Sequence, residues 1–280
     1  MERVMIDAHQ HFWDPRRYCY PWMARPELQA LCRPFVPDDL APILRDVGVA
    51  QTVLVQAQSS LDETYWFLDL AKANSFIGGV VGWVDLTAPD LAEVLDKLTQ
   101  HTALKGVRHQ AEEESDDAWL NRPDVLHGLK EIARRGLSYD LLVKPRHLQY
   151  VPAIAKHVPE LRMVVDHIAK PSIVSGQWET WAGDLAAVAH LPNVWCKLSG
   201  MMTEADWKHW KLTDFRPYVN HVVEQFGFDR VMFGSDWPVC VLAGTYSQAV
   251  EAVSENLGGI SESQRARIFG ENARAFYRLV

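Results

Sequence analysis

The stretch that decides the fold lies near the start of the chain and is Val4-Met5-Ile6-Asp7-Ala8-His9-Gln10-His11-Phe12-Trp13. Its apolar first half predicts a buried strand, and side chains along a strand alternate between two faces. His9 and His11 therefore point to the same side at the end of that strand. Two imidazoles on one face could hold a metal ion or polarise a carbonyl group. The chain has 11 His in 280 residues, and chance alone gives about 0.4 such pairs per chain, so the pair needs partners elsewhere.

Seven more apolar segments of strand length follow, and segments with helical signals separate them. Ser60-Leu61-Asp62-Glu63 has the form of a capping box, and Gly48 and Gly136 are typical of helix ends. Short strands that alternate with helices predict an α/β fold, a (β/α)₈ TIM barrel with its active site at the strand C-termini. A doubly wound sheet is the structural rival, but it favours a glycine-rich turn after strand 1, where residues 9–13 contain no glycine. The other predicted strands cover residues 52–56, 79–84, 104–108, 138–143, 162–166, 194–198 and 230–234.

The connecting segments carry further predictions. Residues 13–37 are rich in proline and aromatic residues and lack a helical period, so we expect a long functional loop there. The acidic stretch 112–117 predicts a solvated loop. No linker or repeat divides the chain, and we expect a single domain over residues 1–280. Helices are expected over residues 40–47, 61–73, 91–98, 123–135, 145–156 and 178–188, over a long stretch broken near 213–214 and ended by Gly227, and from 246 onward with a break at 258–259.

The composition argues against several classes of protein. The net charge of −8 and the pI of about 5.8 argue against a surface for nucleic acid or for an anionic membrane. No apolar run approaches the ~20 residues of a membrane span, and we expect no signal peptide before strand 1. The four scattered cysteines are typical of reduced thiols in a cytoplasmic protein. The 11 tryptophans suit the C–H faces of a sugar ring, although tryptophan is also common in protein cores.

Polar side chains follow strand after strand, and in a barrel the strand ends converge on one face. A surface loop residue, or a core polar group with its hydrogen bonds satisfied, explains any one of these positions. Neither explanation accounts well for polar residues at the end of strand after strand. The ring of candidate residues contains His9 and His11, Gln56 and Gln58, Trp83 and Asp85, Arg108 and His109, Asp140, Asp166 and His167, Lys197 and Ser199, and Asp236.

Motifs spread from strand 1 to strand 8 resemble the amidohydrolase superfamily. Ile6-Asp7-Ala8-His9-Gln10-His11, Val165-Asp166-His167 and Phe233-Gly234-Ser235-Asp236-Trp237-Pro238 carry this resemblance. Within the superfamily the chain is similar to the amidohydrolase 2 group of sugar-acid lactonases, which includes L-fuconolactonase and L-rhamnonolactonase. The motifs that support the group are Lys105-Gly106-Val107-Arg108-His109-Gln110, Asp166-His167-Ile168-Ala169-Lys170-Pro171 and Cys196-Lys197-Leu198-Ser199-Gly200.

The resemblance also bears on metal binding. The binuclear hydrolases of the superfamily have a bridging Lys or Glu at strand 4 and a His at strand 5, where this chain has Arg108-His109 and Asp140. A binuclear centre is therefore not expected. The group includes members that work without metal, so an ion could be dispensable, and no organic cofactor is implied. The residues that could hold a single Zn²⁺-like ion are His9, His11, His167 and Asp236.

The activity implied by the resemblance is hydrolysis of a sugar-acid lactone, such as L-fuconolactone or L-rhamnonolactone, to the aldonic acid. We expect Asp236 to act as general base on water, His9 and His11 to stabilise the oxyanion, and His167 to fix the water or to share a metal. We expect the substrate's hydroxyls and ring face to contact Arg108, His109, Gln56, Lys197, Trp13, Trp83 and Trp237.

Two alternatives stay open at this point. One is a strictly metal-dependent non-oxidative decarboxylase of the same superfamily. The other is a non-catalytic barrel that binds a sugar acid, although a pure binder has no need for an aligned base such as Asp236. The expected partner is a small sugar lactone, and we expect no binding to nucleic acid or to a membrane. Whether the chain forms a homo-oligomer is left open.

Overall fold

The eight strands of the computed structural model, which describes residues 4–176 and 178–280, form one parallel sheet in the order β1 to β8. The sheet closes because the His11 N–H donates to the Trp237 carbonyl at 2.7 Å and the Asp236 N–H donates to the His9 carbonyl at 2.8 Å. The predicted (β/α)₈ barrel is confirmed. The strands are β1 Met5–Gln10, β2 Val49–Val55, β3 Ile77–Gly82, β4 Leu104–His109, β5 Ser138–Leu141, β6 Arg162–Val165, β7 Val194–Leu198 and β8 Val231–Phe233.

Helices follow the strands and cover the outside of the barrel. In the described part of the chain none of them is long and apolar enough to cross a membrane. The α-helices are α1 Pro37–Val47, α2 Leu61–Ala73, α3 Leu91–Leu98, α4 Pro123–Arg134, α5 Val151–His157, α6 Glu179–Ala189, α7 Leu212–Phe226, α8 Tyr246–Ser254, α9 Glu262–Ala266 and α10 Asn272–Tyr277.

Most predicted elements lie where the sequence placed them. The Ser60 side chain accepts from the Glu63 N–H, which confirms one half of the predicted capping box. The other half is wrong, because the Glu63 carboxylate accepts from the Ala57 and Gln58 N–H groups instead. The break predicted near 213–214 lies a few residues earlier, at 205–211, between the 3₁₀ helix Met202–Glu204 and α7. Asp214 lies in the first turn of α7 and caps it by accepting from the Lys211 N–H at 2.8 Å. The helix expected over 145–156 is divided into a 3₁₀ helix, Pro145–Tyr150, and α5.

The long segment after β1 is ordered around one tryptophan rather than irregular throughout. It contains two short 3₁₀ helices, Pro21–Ala24 and Pro26–Leu31, each started by a proline whose fixed φ suits a first turn. The indole N–H of Trp13 donates to the carbonyls of Leu31 and Arg33 at 3.0 and 3.1 Å. These bonds fold the segment back over the end of β1.

The C-terminal segment closes the end of the barrel at which the strands begin. Side chains near the starts of three strands donate to its backbone carbonyls, as with Gln51 to Val280 at 2.9 Å and Lys105 to Arg278 at 3.3 Å. Phe276 and Tyr277 join the apolar cluster inside the barrel. The interior is therefore sealed at this end, and any site must lie at the other.

A charged layer lies above that apolar cluster, inside the barrel. The fully buried ammonium of Lys197 donates to Asp140 Oδ2 at 2.6 Å and pairs with Asp166 Oδ1 at 2.9 Å. The Tyr277 hydroxyl also donates to Asp140, at 2.7 Å. Burial raises the pKa of the Asp140 carboxyl to about 6, against the pull of Lys197. Buried charges are tolerated only when they are paired in this way.

Replacing Lys197 with methionine should lower the free energy of unfolding by about 3–5 kcal/mol, because it leaves buried carboxylates without their cation. Urea denaturation followed by tryptophan fluorescence measures this change. The matched control is Lys72→Met on the exposed side of α2, which should change the free energy of unfolding by less than about 0.5 kcal/mol. Equal urea midpoints for the two variants would contradict the assigned role of Lys197.

Candidate active site

A cavity of about 320 Å³ lies at the C-terminal ends of the strands. Five residues predicted from the sequence line it, and they come from the ends of four strands. The segment after β1 and the loops after the other strands complete the wall. The five predicted residues are His11, Trp13, Arg108, His167 and Asp236.

The predicted histidines and aspartate meet at the floor of this cavity, where His11, His167 and Asp236 line it and the fully buried His9 lies beneath them. His9 Nε2 lies 3.1 Å from His11 Nε2, and Asp236 Oδ1 lies 3.3 Å from His11 Nε2. The same oxygen is 3.8 Å from both His9 Nε2 and His167 Nε2. All four side chains are buried. Three imidazoles thus surround one carboxylate oxygen.

This donor set fits a single metal ion. Four ligands about 2.0–2.2 Å from a tetrahedral Zn²⁺ lie roughly 3.3–3.6 Å from one another. The four distances given above, from 3.1 to 3.8 Å, bracket that range. His9, His11 and Asp236 form one group of ligand atoms within 4.8 Å of one another, and His9, Asp166 and His167 form a second.

Hydrogen bonds and burial set the protonation of the paired histidines. The Val55 carbonyl can only accept, so His11 carries its proton on Nδ1, 2.7 Å away, and its Nε2 has a lone pair. His9 has partners of both kinds. Its Nδ1 lies 3.1 Å from the Lys197 ammonium and 3.3 Å from Asp166 Oδ1, and its Nε2 lies 3.2 Å from the Arg108 guanidinium. Burial lowers the pKa of both histidines, which keeps them neutral, and the neutral imidazole is the form that binds a metal ion.

Asp236 is held in an unusual backbone conformation by the buried carboxylate of Asp7. Asp236 has φ 56°, in the left-handed region. Asp7 accepts hydrogen bonds from the backbone N–H groups of His9 and Ser235 and from the hydroxyls of Ser235 and Tyr246, at 2.6–3.0 Å. These four bonds fix the residue before Asp236 against β1.

The electrostatic surroundings keep Asp236 ionised. Burial by itself would raise the pKa of this carboxyl, but the neighbouring His167 and His11 outweigh burial and lower it. Burial lowers the pKa of His167 to about 4, so this imidazole is neutral near pH 7. The floor of the cavity therefore presents one negative charge among neutral imidazoles.

His167 begins a left-handed turn and is held from two sides. Its Nδ1 lies 2.9 Å from the Ser199 hydroxyl. Gly200, at φ 66°, is required beside it, since a Cβ there would come within 2.7 Å of His167 Nδ1. The strand-7 motif noted in the sequence thus serves the strand-6 histidine.

The predicted substrate-binding residues divide into two sets. Arg108 and Trp13 line the cavity, whereas the other five lie outside its lining. His109 has both ring nitrogens engaged, by the Trp83 indole N–H at 3.0 Å and by Glu114 at 2.7 Å. The Gln56 carbonyl accepts from the Arg108 guanidinium. Lys197 lies beneath His9, and Trp237 packs against Phe12 and Phe35. The contacts of these five residues hold the lining residues in place.

Several lining residues were missed by sequence reasoning because they lie on loops without a regular pattern. Glu112, in the stretch predicted as solvated, is largely buried and pairs with Lys170 at 2.7 Å. That part of the prediction is wrong, because acidic composition does not reveal a buried cationic partner. The one sequence signal for this ion pair was Lys170, which belongs to the motif Asp166-His167-Ile168-Ala169-Lys170-Pro171. The other missed residues include Trp22, Arg25, Lys144, Glu204 and Trp207.

Replacing Asp7 with asparagine should reduce turnover about tenfold with little change in KM. An amide cannot accept from four donors, so the Ser235 segment shifts and Asp236 loses its position; about 1.4 kcal/mol of lost stabilisation is tenfold in rate. Steady-state kinetics measure the effect. The control Tyr246→Phe removes one donor but keeps both Ser235 bonds, and it should cost less. Wild-type turnover in Asp7→Asn would refute this positioning role.

A family model described as amidohydrolase matches residues 6–279. The L-fucono-1,5-lactonase of Burkholderia ambifaria is 40% identical over 281 residues, covering 98% of this chain and 95% of the relative. The L-fucono-1,5-lactonase of Burkholderia multivorans is 36% identical over 290 residues, covering 100% and 97%. A crystal structure of an amidohydrolase from Burkholderia multivorans with bound zinc superposes with a TM-score of 0.93, at 36% identity, covering 99% of this chain and 100% of that one.

Proposed function

The chain belongs to the amidohydrolase family, and on that premise we propose that it hydrolyses L-fucono-1,5-lactone, or a similar sugar-acid lactone, to the open-chain aldonic acid. Two relatives at 40% and 36% identity carry the name L-fucono-1,5-lactonase, which supports a lactone hydrolase. The observation that carries the proposal is one ionised carboxylate, Asp236, among three neutral imidazoles in the floor of a cavity with tryptophans in its wall.

Asp236 acts as the general base. It takes a proton from a water molecule, whose oxygen attacks the lactone carbonyl carbon. The lone pair on His11 Nε2 lies 3.3 Å from Asp236 Oδ1 and can share the proton. The proton then passes to the ring oxygen as the bond between that oxygen and the carbonyl carbon breaks. The product is the aldonic acid, and Asp236 returns to its ionised form.

The negative charge that develops on the carbonyl oxygen is stabilised by fixed donors and charge. Arg108 lines the cavity, is 3% exposed, and carries a permanent positive charge. Its guanidinium is held by Asp166 at 3.0 Å, so it needs no rearrangement during the reaction. A zinc ion held by His9, His11, His167 and Asp236 would add Lewis-acid polarisation of the carbonyl.

The apolar part of the wall suits the C–H faces and the methyl group of a 6-deoxy sugar lactone. Trp13, Trp22, Leu28 and Leu142 line the cavity. The Trp22 indole N–H donates to the Ala57 carbonyl at 2.9 Å, which ties the segment after β1 to the loop after β2. Aromatic rings fixed in this way bury a sugar face at little entropic cost.

The two alternatives have less support. The relatives at 36–40% identity are lactonases rather than decarboxylases. A metal-dependent decarboxylase would lose its activity on thorough chelation, so lactone hydrolysis that survives chelation argues against it. The family match and the lactonase relatives indicate an enzyme. They argue against a non-catalytic barrel that only binds a sugar acid.

Several broader properties belong to the same proposal. We propose a single domain over residues 1–280, a cytoplasmic location, a role in carbohydrate metabolism, and zinc as the ion wherever an ion is bound. The catalytic set is Asp236, His167, His9 and His11, with Arg108 as a direct substrate contact and the fully buried Trp13 packed behind Trp22 in the wall.

Replacing Asp236 with asparagine should reduce kcat on L-fucono-1,5-lactone by about 10²–10⁴-fold, the usual contribution of a general base. A pH-indicator assay measures turnover, and calorimetric titration checks that the variant still binds the lactone. The matched control is Asp206→Asn, an exposed residue after β7, which should behave like the wild type. Unaltered turnover in Asp236→Asn would overturn the mechanism.

A further inference from the structure

A second group of charged side chains lies in the same cavity, away from the histidines. We call Glu112, Lys170 and Glu204 the outer cluster. All three line the cavity, and Lys170 Nζ lies 2.7 Å from Glu112 Oε1. The side chains of Lys170 and Glu112 are 22% and 12% exposed, against 6% for Asp236. The outer cluster is therefore closer to solvent than the catalytic floor.

The outer cluster keeps acceptor atoms that the protein does not use. Glu112 Oε2 is buried and has no hydrogen-bond partner within residues 4–176 and 178–280. No hydrogen bond to the Glu204 carboxylate is found in that part of the chain. Burial raises the pKa of the Glu204 carboxyl, and Lys170 only partly opposes it. Buried acceptors without partners are costly in a purely structural ion pair, whereas a ligand in the cavity could satisfy them.

The backbone that carries Lys170 is held in a rare conformation. Residues His167 to Lys170 all have φ between 50° and 62°, in the left-handed region. The Lys170 N–H donates to the His167 carbonyl at 2.8 Å, which closes one 3₁₀ turn. Side chains three residues apart in such a turn lie on the same side. Strain of this kind is typical of functional sites, and here it places Lys170 and His167 in one cavity wall.

A backbone contact also sets the position of Glu204. Its carbonyl accepts from the Val174 N–H at 3.0 Å, which joins the segment after the left-handed turn to the 3₁₀ helix Met202–Glu204. The indole N–H of Trp181 donates to the Ile168 carbonyl at 2.7 Å and holds the turn from behind. The three members of the outer cluster are thus fixed relative to one another.

We propose that the outer cluster binds the ring hydroxyls of the lactone and so determines the enzyme's preference for polyhydroxylated lactones over simple ones. This inference rests on the proposed lactone hydrolysis. A sugar hydroxyl both donates and accepts, so neighbouring hydroxyls match a carboxylate beside an ammonium. A site built to bind hydroxyls discriminates strongly against a substrate that lacks them, because its polar groups are then left unpaired.

The test compares two six-membered lactones, L-fucono-1,5-lactone and δ-valerolactone, which has no hydroxyl. The measured quantity is the ratio of kcat/KM for the first to kcat/KM for the second. Glu204→Gln and Lys170→Met should each lower this ratio about 10- to 100-fold, as expected for the loss of a hydrogen bond to a charged group. Most of the change should be a higher KM for the hydroxylated lactone.

The matched controls are Glu160→Gln and Lys156→Met, the same substitutions at exposed positions around α5, and they should leave the ratio at its wild-type value. Thermal denaturation checks that each variant is folded. If Glu204→Gln or Lys170→Met does not fold, Glu112→Gln takes its place in the same measurement. Variants that lower kcat/KM equally for both lactones, or not at all, overturn this inference while leaving the proposed hydrolysis intact. A wild-type enzyme that cleaves neither these two lactones nor any other aldonolactone overturns the proposed function itself.

Discussion

The ammonium of Lys197, buried at the centre of the barrel, is the constraint on which the site depends. It pairs with Asp140 and Asp166 and lies 3.1 Å from His9 Nδ1. The two carboxylates make a buried cation tolerable, and the cation in turn lowers the pKa of His9 and helps to keep that imidazole neutral. The stabilising layer of the barrel and the neutral state of His9 therefore depend on the same set of contacts.

The cavity above that layer is organised in two levels. The floor holds Asp236 among neutral imidazoles, with Asp7 fixing the strand-8 loop from below. The outer cluster lies nearer to solvent, and a strained turn connects it to His167. In the proposed binding mode, the lactone carbonyl lies beside Asp236 and the ring hydroxyls lie beside Lys170. Catalysis and substrate preference would then both depend on one short segment, residues 166–170.

The barrel could be predicted from the sequence because it depends on local patterns, namely strand periodicity and helix caps such as Ser60. The polar residues that end the strands gave a ring of candidates, and the resemblance to the amidohydrolases selected His9, His11, His167 and Asp236 from that ring. The second role of Lys197 could not be predicted, because a lysine at a strand end has the same pattern whether it reaches the cavity or lies under it. Glu112 and Glu204 were missed for a related reason: their burial depends on contacts between loops that are distant in sequence.

The most direct test of this account is the protonation of His9 and His11 in the chelated, metal-free protein. Long-range ¹H–¹⁵N spectra of protein labelled with ¹⁵N-histidine distinguish the two ring nitrogens, and His11→Asn together with His9→Asn assigns the signals. The account predicts that both rings are neutral at pH 7, with His11 protonated at Nδ1. A charged imidazolium at His9 or His11 would contradict it, because Asp236 would then not be a single charge among neutral imidazoles.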